Sequence, residues 1–220
     1  MTFFPRLEIL PEAQRKIWTN LAEVPRHFVL YGVTGLALRL GHRTSVDFDF
    51  FSSEPVIPET LLDNLALLKN AKVLQLSAQT LTVLVNLESP VKLSFFGGLT
   101  LGRVGVPEQT ADGVMHVASL LDIAGTKAAV VYLRAESKDY LDILALTEAG
   151  MSLSVLMAAA RALYGERYNP ILTAKALSHF SGGDLAQLTP NQRDQLAGLV
   201  SQQSFRLEEM ARISDRLSPG

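Results

Sequence analysis

The sequence predicts an α/β fold in its first half, with a mixed sheet and flanking helices, and a helical bundle in its second half. Segments rich in β-branched and aromatic residues lie before residue 116, where helical segments separate them. After Val117 the apolar residues recur with helical spacing almost to the end of the chain. We therefore predict two domains, an α/β domain over residues 1–116 and a helical domain over residues 117–220.

The first half divides into short strands joined by helices. Apolar runs predict strands over residues 28–31, 46–51, 72–76, 81–87 and 91–96, and a weaker one over 101–106. Helical patterns occupy about residues 12–23, 36–40 and 59–69, and Pro58 suits the start of the last helix. Residues 88–90 have the composition of a turn, so strands 81–87 and 91–96 are predicted to form an antiparallel hairpin beside the strand at 46–51.

The second half is predicted to be helical almost throughout. Helices are expected over residues 119–133, 137–148, 152–164, 170–180 and 190–201, with a final segment to about residue 216. Pro170 and Pro190 suit helix starts, while Gly165 and the Gly182-Gly183 pair mark breaks. The run 157–160 is expected to pack in the core of this bundle.

Composition excludes several classes of protein. The chain has no cysteine, which excludes disulfides, thiolate metal sites and a cysteine nucleophile. A net charge of −2 excludes a strongly basic nucleic-acid coat, although a local basic groove is compatible with it. No leader pattern and no long apolar run occur, so we predict a cytoplasmic protein with no membrane partner.

Asp47 and Asp49 are the clearest chemical feature of the chain. They alternate with Val46, Phe48 and Phe50, which predict a buried strand, so both carboxylates are expected to point to one face. Two like charges at this spacing are costly to bury, and a hard divalent cation such as Mg²⁺ relieves their repulsion. The alternative is a pair that is simply solvated at a strand edge, and these two residues alone leave both open.

The segment before this pair predicts an anion site. Residues 29–31 have the pattern of a short strand, residues 32–35 that of a small-residue turn, and residues 36–40 that of a helix that opens from the turn and ends at Gly41. A strand that passes through such a turn into a helix leaves free N–H groups at one point, where a triphosphate can bind. Gly32 and Thr34 belong to this turn.

These residues resemble the signature of the nucleotidyltransferase superfamily, and specifically its AbiEii/AbiGii abortive-infection toxin branch. The resemblance rests on the turn Gly32-Val33-Thr34 and on the run Arg43-Thr44-Ser45-Val46-Asp47-Phe48-Asp49. A second block is similar to the branch's later lysine, its arginine and its basic-Asp-x-x-Asp helix: Lys127, Arg134 and the run Lys138-Asp139-Tyr140-Leu141-Asp142.

The resemblance implies a nucleotidyltransferase-like sheet and a helical domain that completes the active-site cleft. It implies Mg²⁺ or Mn²⁺ as the cofactor held by Asp47 and Asp49, and an NTP whose nucleoside monophosphate is transferred to an acceptor hydroxyl. For toxin-like members it further implies an RNA acceptor, such as tRNA, and a cognate antitoxin protein.

The resemblance also assigns roles to other residues. Lys127 is expected to neutralise the triphosphate, and Asp142 or Asp139 to supply a further acid, so the expected catalytic set is Asp47, Asp49, Lys127 and Asp142. The residues expected to contact the nucleotide are Gly32, Thr34, Arg43, Ser45, Lys127 and Asp139.

The residues taken alone leave simpler roles open. Arg43 suits bidentate phosphate binding, but it equally suits a pairing with Asp47 or Asp49. Ser45 suits turn capping more than a phosphate contact. The pair at 139 and 142 fits a solvated helix face on which Lys138 pairs with Asp142.

Two residues depart from the pattern of the branch. Val33 stands where a second glycine or a serine is usual, and its β-branched side chain resists a positive φ. Ser94, beside Lys92, stands where many nucleotidyltransferases carry a third metal carboxylate. Three hypotheses therefore remain: an active transferase, with RNA, protein or a small molecule as acceptor; a degenerate module that binds nucleotide without turnover; and a helical interaction protein with an incidental Asp-x-Asp.

Overall fold

The computed structural model of the protein describes residues 1–203 and 207–219, which divide into two compact units. The first unit contains Met1–Ser119 together with the tail from Ser214, and the second contains Leu120–Ile213. The tail differs from the predicted helical domain because it pairs with the first unit. Arg103 forms a backbone bridge with Ser214, and the amide of the buried Leu217 donates to Ser53 Oγ at 2.9 Å.

The first unit is built on one mixed sheet of eight strands. The strands, numbered in chain order, are β1 Thr2–Phe3, β2 Val29–Tyr31, β3 Asp47–Phe51, β4 Lys72–Ser77, β5 Thr80–Val85, β6 Val91–Phe96, β7 Glu108–Thr110 and β8 His116–Val117. Their order across the sheet is β1-β7-β8-β2-β3-β6-β5-β4. β3 is antiparallel to β2 and parallel to β6, and β6 forms an antiparallel hairpin with β5. The α/β class and the hairpin beside the strand of Asp47 and Asp49 are therefore confirmed.

Three α-helices flank this sheet: α1 Glu12–Ile17, α2 Gly32–Leu40 and α3 Pro58–Asn64. The long helices predicted at 12–23 and 59–69 are each shorter than expected and are followed by 3₁₀ segments, Trp18–Glu23 and Ala66–Leu68. In the second case the extended backbone of Leu65 ends α3. The strand predicted at 101–106 is wrong, because Gly102 takes a φ of 67° and only the bridge at Arg103 forms.

Aromatic rings fill one side of the sheet. The rings of Phe50 and Phe95 stack at 5.2 Å, and Phe28 meets Phe95 edge to face at 5.3 Å, so residues next to β2, on β3 and on β6 form one aromatic cluster. Trp18 reaches the same core at 6.4 Å from Phe48. Burying these large rings fixes which face of β3 is apolar. The opposite face of β3 is left for the carboxylates.

The second unit is helical in the residues that the structure describes. Its helices are α4 Leu120–Val130, α5 Ser137–Glu148, α6 Leu153–Tyr164, α7 Pro170–Ser178 and α8 Pro190–Ser201. Side chains of Ser152, Asn169 and Thr189 cap the last three helices at their N-termini. The final helix predicted to about residue 216 is wrong over residues 207–216, where no helix forms, and its earlier part falls on residues 204–206, outside the described residues.

Helices α4 and α6 pack at unusually close range. A Cβ built at Gly125 would lie 2.9 Å from the Ala159 carbonyl carbon and 2.9 Å from the Ala160 nitrogen, so only glycine fits at this crossing. Met157, Ala159 and Ala160 are fully buried, which confirms the predicted core role of the run 157–160. Small residues let the two backbones approach each other.

None of the described helices is long and apolar enough to cross a membrane on its own. Only the pair Ser137–Glu148 and Leu153–Arg167, bent by 115°, reaches that length and composition jointly.

Candidate active site

Asp47 and Asp49 lie on one face of β3. Burial alternates along the strand, with Phe48 and Phe50 at 0% and 1% exposure and the two aspartates partly exposed between them. The predicted shared face is thus confirmed. Val46 is an exception to the predicted pattern, because it lies before β3 and is 52% exposed. Its carbonyl accepts from the Gln14 side chain at 2.8 Å, which fixes the entry into the strand.

The helix α2 starts directly at the end of β2, with no separate turn. Gly32 is its first residue and has a φ of 68°, a conformation that favours glycine. A Cβ at this position would lie 3.1 Å from Asp49 Oδ2, so the carboxylate also needs the space that glycine leaves. The predicted four-residue turn at 32–35 is therefore the first turn of the helix. Its free N–H groups and the Asp49 carboxylate lie at the same corner of the sheet.

The backbone conformation at this turn places no strain on Val33. The residue that needs a positive φ is Gly32, and no other type of residue has one in the part of the chain that the structure describes. Val33 follows within the helix, where a β-branched side chain is tolerated at small cost.

Thr34 and Ser45 connect α2 to the start of β3. Their hydroxyl oxygens are 2.6 Å apart, and Thr34 Oγ1 also donates to the Asp47 carbonyl. Both side chains are buried, at 2% and 5% exposure. These hydroxyls therefore bind other protein groups and hold the helix terminus against the strand of the two aspartates. Arg43, in the loop between them, is half-buried and makes a long 3.5 Å contact with the Thr44 carbonyl.

Lys92, on the neighbouring strand β6, forms an ion pair with Asp47. The parallel register of β3 and β6 pairs Asp47 with Lys92 and Asp49 with Ser94. Lys92 Nζ is 2.7 Å from Asp47 Oδ2, and both side chains are more than a third exposed. Ser94 is buried and supplies no charge opposite Asp49. Two partly exposed carboxylates on one face still suit a hard cation, with water and phosphate oxygens as its other ligands.

No third acid joins this pair among the residues that the structure describes. No group of three or more His, Cys, Asp or Glu side chains in residues 1–203 and 207–219 is arranged to hold a metal ion. A cation on this face of β3 would therefore take its protein carboxylate ligands from Asp47 and Asp49.

The second sequence block forms a buried ionic cluster within the second unit, which we call the α4–α5 cluster: Lys127, Arg134, Asp139 and Asp142. Lys127 Nζ is 3.0 Å from Asp139 Oδ1 and 2.6 Å from Asp142 Oδ2. Arg134 donates to both carboxylate oxygens of Asp139, at 2.7 and 3.1 Å. Two positive and two negative groups are thereby brought together.

Burial overturns the simple interpretation of this block. Asp139 and Asp142 have no exposed surface and the Lys127 side chain is 6% exposed, so a solvated helix face is excluded. The predicted pairing of Lys138 with Asp142 is also wrong, because Lys138 binds Glu136 at 2.8 Å on the surface. The buried anion that Lys127 contacts is the protein's own pair of carboxylates. The spacing of three between Asp139 and Asp142 predicted that they share one face of the helix, but not that this face is buried.

Two neighbouring contacts set the cluster in place. The hydrogen bonds that Arg134 donates to Asp139, together with the negative charges of Asp139, Glu136 and Asp142, outweigh burial and raise the pKa of Arg134. At the N-terminus of α5, Asp184 accepts from the Ser137 amide at 2.5 Å and from its hydroxyl at 3.0 Å. These bonds lower the pKa of Asp184. Neither the Asp184–Ser137 contact nor the Lys92–Asp47 pair could be predicted from sequence spacing, since the partners are distant in sequence.

Comparisons with known proteins identify the family of the chain. A family model described as nucleotidyl transferase AbiEii toxin, type IV TA system, matches residues 17–217. An uncharacterized protein from Aquifex aeolicus (strain VF5) is 34% identical over 122 residues, so the match spans 53% of this chain and about half, 55%, of that relative. The crystal structure of a putative nucleotidyltransferase from H. pylori has the same fold, with a TM-score of 0.57 at 17% identity over 86% of this chain and 90% of that one. The chain therefore belongs to the AbiEii family of nucleotidyltransferase toxins.

Proposed function

We propose that the protein is a divalent-metal-dependent nucleotidyltransferase that moves a nucleoside monophosphate from an NTP to an acceptor hydroxyl, with RNA as the acceptor. The observation that carries the proposal is the meeting of Asp47, Asp49 and the N-terminus of α2 at Gly32. A carboxylate pair beside free helix N–H groups is suited to a metal and a phosphate at one point.

Each of these groups has a separate role in the proposal. Asp47 and Asp49 hold Mg²⁺ or Mn²⁺, which when bound supplies positive charge at the reacting phosphate. The N–H groups of the first turn of α2 bind the triphosphate oxygens, and Arg43 adds a planar cation in the adjacent loop. Lys92 neutralises Asp47 before the cation binds and is then free to face phosphate. Thr34 and Ser45 act as positioning residues.

We assign the α4–α5 cluster a positioning role as well. For Lys127 to neutralise a triphosphate, it would have to leave two carboxylates that have no exposed surface. Leaving buried charges without their partner costs about 3 to 5 kcal/mol. The four residues instead form a charge-balanced cluster that holds α4 and α5 together, in which Lys127 and Arg134 pair with Asp139 and Asp142.

The test is transfer of labelled nucleotide to RNA. Purified protein is incubated with total RNA, each of the four labelled NTPs, and Mg²⁺ or Mn²⁺, and the product is digested to locate the added nucleotide. Asp47→Asn and Asp49→Asn should abolish transfer, whereas Asp63→Asn, an exposed acid on α3, should leave it unchanged. Parallel reactions with protein and with aminoglycoside-like acceptors decide among acceptor classes. Absence of metal-dependent transfer to every acceptor would refute the proposed reaction.

A degenerate nucleotide-binding module is the second candidate. It is favoured by Ser94 opposite Asp49 and by Lys92 on Asp47, which leave this site with fewer acids and an internal cation. This candidate predicts metal-assisted NTP binding by calorimetry without any transferred label.

Membership of a toxin family also supports a cognate antitoxin as the counterpart of this protein. Growth inhibition on expression, relieved by an antitoxin encoded beside it and absent in Asp47→Asn, would support that assignment. Inhibition that persists in Asp47→Asn would contradict it.

A further inference from the structure

A groove on the second unit combines positive and aromatic side chains. It has a volume of about 290 Å³ and is lined by residues from the segment between α4 and α5, from α5, from α7 and from the segment after α7. Its polar and aromatic lining consists of Tyr132, Arg134, Tyr140, Lys175, His179 and Ser181. No acidic side chain occurs among the described residues that line it.

The charges of this groove suit an anion. Arg134 and Lys175 are both exposed cationic side chains, and Glu136, which lies 3.8 Å from Arg134 Nε, does not line the groove. The hydroxyl of Ser181 and the imidazole of His179 are 2.6 Å apart and add polar groups beside them. Each phosphate that such cations neutralise releases condensed counterions, which drives binding of polynucleotides even to a protein with a net charge of −2.

The aromatic residues suit a nucleobase. Tyr132 is partly exposed, and its ring packs at a tilt against that of the buried Tyr168, with the centroids 6.4 Å apart. Tyr140 is buried to 2% exposure and packs against Phe180 at 6.2 Å. A rigid tyrosine beside cations is the combination by which proteins bind single-stranded nucleic acid, through base stacking and backbone charge. Apolar or acidic peptides would make no use of both features.

Arg134 connects the groove to the α4–α5 cluster. Its Nε and one terminal nitrogen donate to Asp139, while 45% of its side chain stays exposed. A guanidinium has five N–H donors in a fixed fork, so it can bind Asp139 and a phosphate together. A ligand in the groove would therefore contact a group that also holds a buried acid of the second sequence block.

We propose that this groove binds the acceptor strand, by holding a phosphate on Arg134 and Lys175 and stacking a base on Tyr132. The inference rests on the proposed function for the name of the acceptor but not for the binding itself. The donor NTP shares the same phosphate and base chemistry. It fits less well, because a metal triphosphate needs carboxylates and this groove has none among its described lining residues.

The experiment measures binding without catalysis. A short fluorescent single-stranded RNA is titrated with the full-length protein in EDTA, with no NTP, over a series of salt concentrations. Lys175→Ala should weaken binding roughly 3- to 10-fold and reduce the slope of log K against log salt by about 0.7, the value for one phosphate contact on a single strand. Tyr132→Leu should weaken binding by a similar factor and leave the slope unchanged. The matched control is Lys138→Ala, an exposed lysine outside the groove.

The outcomes separate this inference from the proposed function. If Lys175→Ala and Tyr132→Leu bind RNA as wild type does, or if Lys138→Ala weakens binding equally, the groove is not the RNA site even when transfer occurs. If the variants lose RNA binding while no nucleotide transfer is found for wild type, RNA binding by the groove is supported and the proposed transfer reaction is refuted. NTP titrations with Mn²⁺ form the second arm. Loss of NTP binding in Lys175→Ala, with RNA binding kept, would overturn the inference in favour of the donor.

Discussion

Replacing Lys127 by methionine should destabilise the second unit by several kcal/mol. The substitution keeps the length of the side chain and removes its charge, so Asp139 keeps only Arg134 and Asp142 loses the 2.6 Å contact with the ammonium group. Both carboxylates have no exposed surface. Removing one partner from such a buried pair costs about 3 to 5 kcal/mol. That is a third or more of the roughly 5 to 15 kcal/mol that stabilises a typical domain.

The assay is unfolding in guanidinium chloride, followed by circular dichroism, which the helices of the second unit dominate. Lys138→Met is the matched control, because its ion pair with Glu136 is exposed and contributes at most about 1 kcal/mol. Asp142→Asn should restore part of the stability in the Lys127→Met background, since it removes a buried charge that has lost its contact with the ammonium group. We expect a coupling energy of about 0.5 to 3 kcal/mol between the two sites.

A Lys127→Met protein as stable as the Lys138→Met control would refute the reasoning, because the cluster would then contribute nothing to folding. In that case the lysine is held in place for chemistry alone. The experiment also decides how activity data are interpreted. A Lys127 variant that has lost both transfer and stability says nothing about contact with the triphosphate.

Three further predictions concern the first unit. Gly32→Ala should lower the free energy of unfolding by about 1 to 2 kcal/mol, since its methyl group meets a left-handed backbone and lies 3.1 Å from Asp49 Oδ2. Lys92→Met should tighten Mn²⁺ binding about fivefold by calorimetry, because a half-exposed pairing with Asp47, worth about 1 kcal/mol, no longer competes. Burial and neighbouring positive charges lower the pKa of His116, so the folded state disfavours its protonation. Stability that is present above the ordinary pKa of about 6.5 is then lost as the pH falls towards the folded value, and His116→Gln should lose less between about pH 7 and 5.

Each of these has a contrary outcome. Gly198, a helical glycine in α8 with open space around it, is the control for the first, and equal effects of alanine at Gly32 and Gly198 would contradict the steric argument. Unchanged or weaker Mn²⁺ binding in Lys92→Met would show that the lysine does not compete for the carboxylate. Parallel pH profiles for wild type and His116→Gln would remove the histidine from the acid response.

Features that depend on neighbours in sequence could be predicted. The alternation that places Asp47 and Asp49 on one face is local, and so are the signals that bound α5 and α8, whose predicted ends agree with Ser137–Glu148 and Pro190–Ser201. For α8, Pro190 and the capping side chain of Thr189 mark the start in the sequence itself. The positions of these helices and strands could therefore be predicted better than the residues that pack around them.

Features that depend on pairing between distant segments could not be predicted. Lys92 meets Asp47 only because β6 lies beside β3 in one register, and a shift of one residue would turn it to the other face. The burial of Asp139 and Asp142 follows from the packing of α5 against the lysine of α4, which helical spacing does not encode. The tail from Ser214 took a strand-like pairing with Arg103 in place of the expected helix, again through a partner more than a hundred positions away.

The close crossing at Gly125 affects the position of Lys127 in the interior of the second unit. Gly125 and Lys127 are on the same helix, two positions apart, and the missing side chain at the first lets α4 approach Ala159 and Ala160. A methyl group there would displace α4 from α6 and shift the ammonium group of Lys127 relative to the carboxylates on α5. The distance between α4 and α6 thus affects the distances between Lys127 and the carboxylates of the ionic cluster. A substitution at a residue with no polar atom in its side chain could in this way alter the electrostatics of the whole unit.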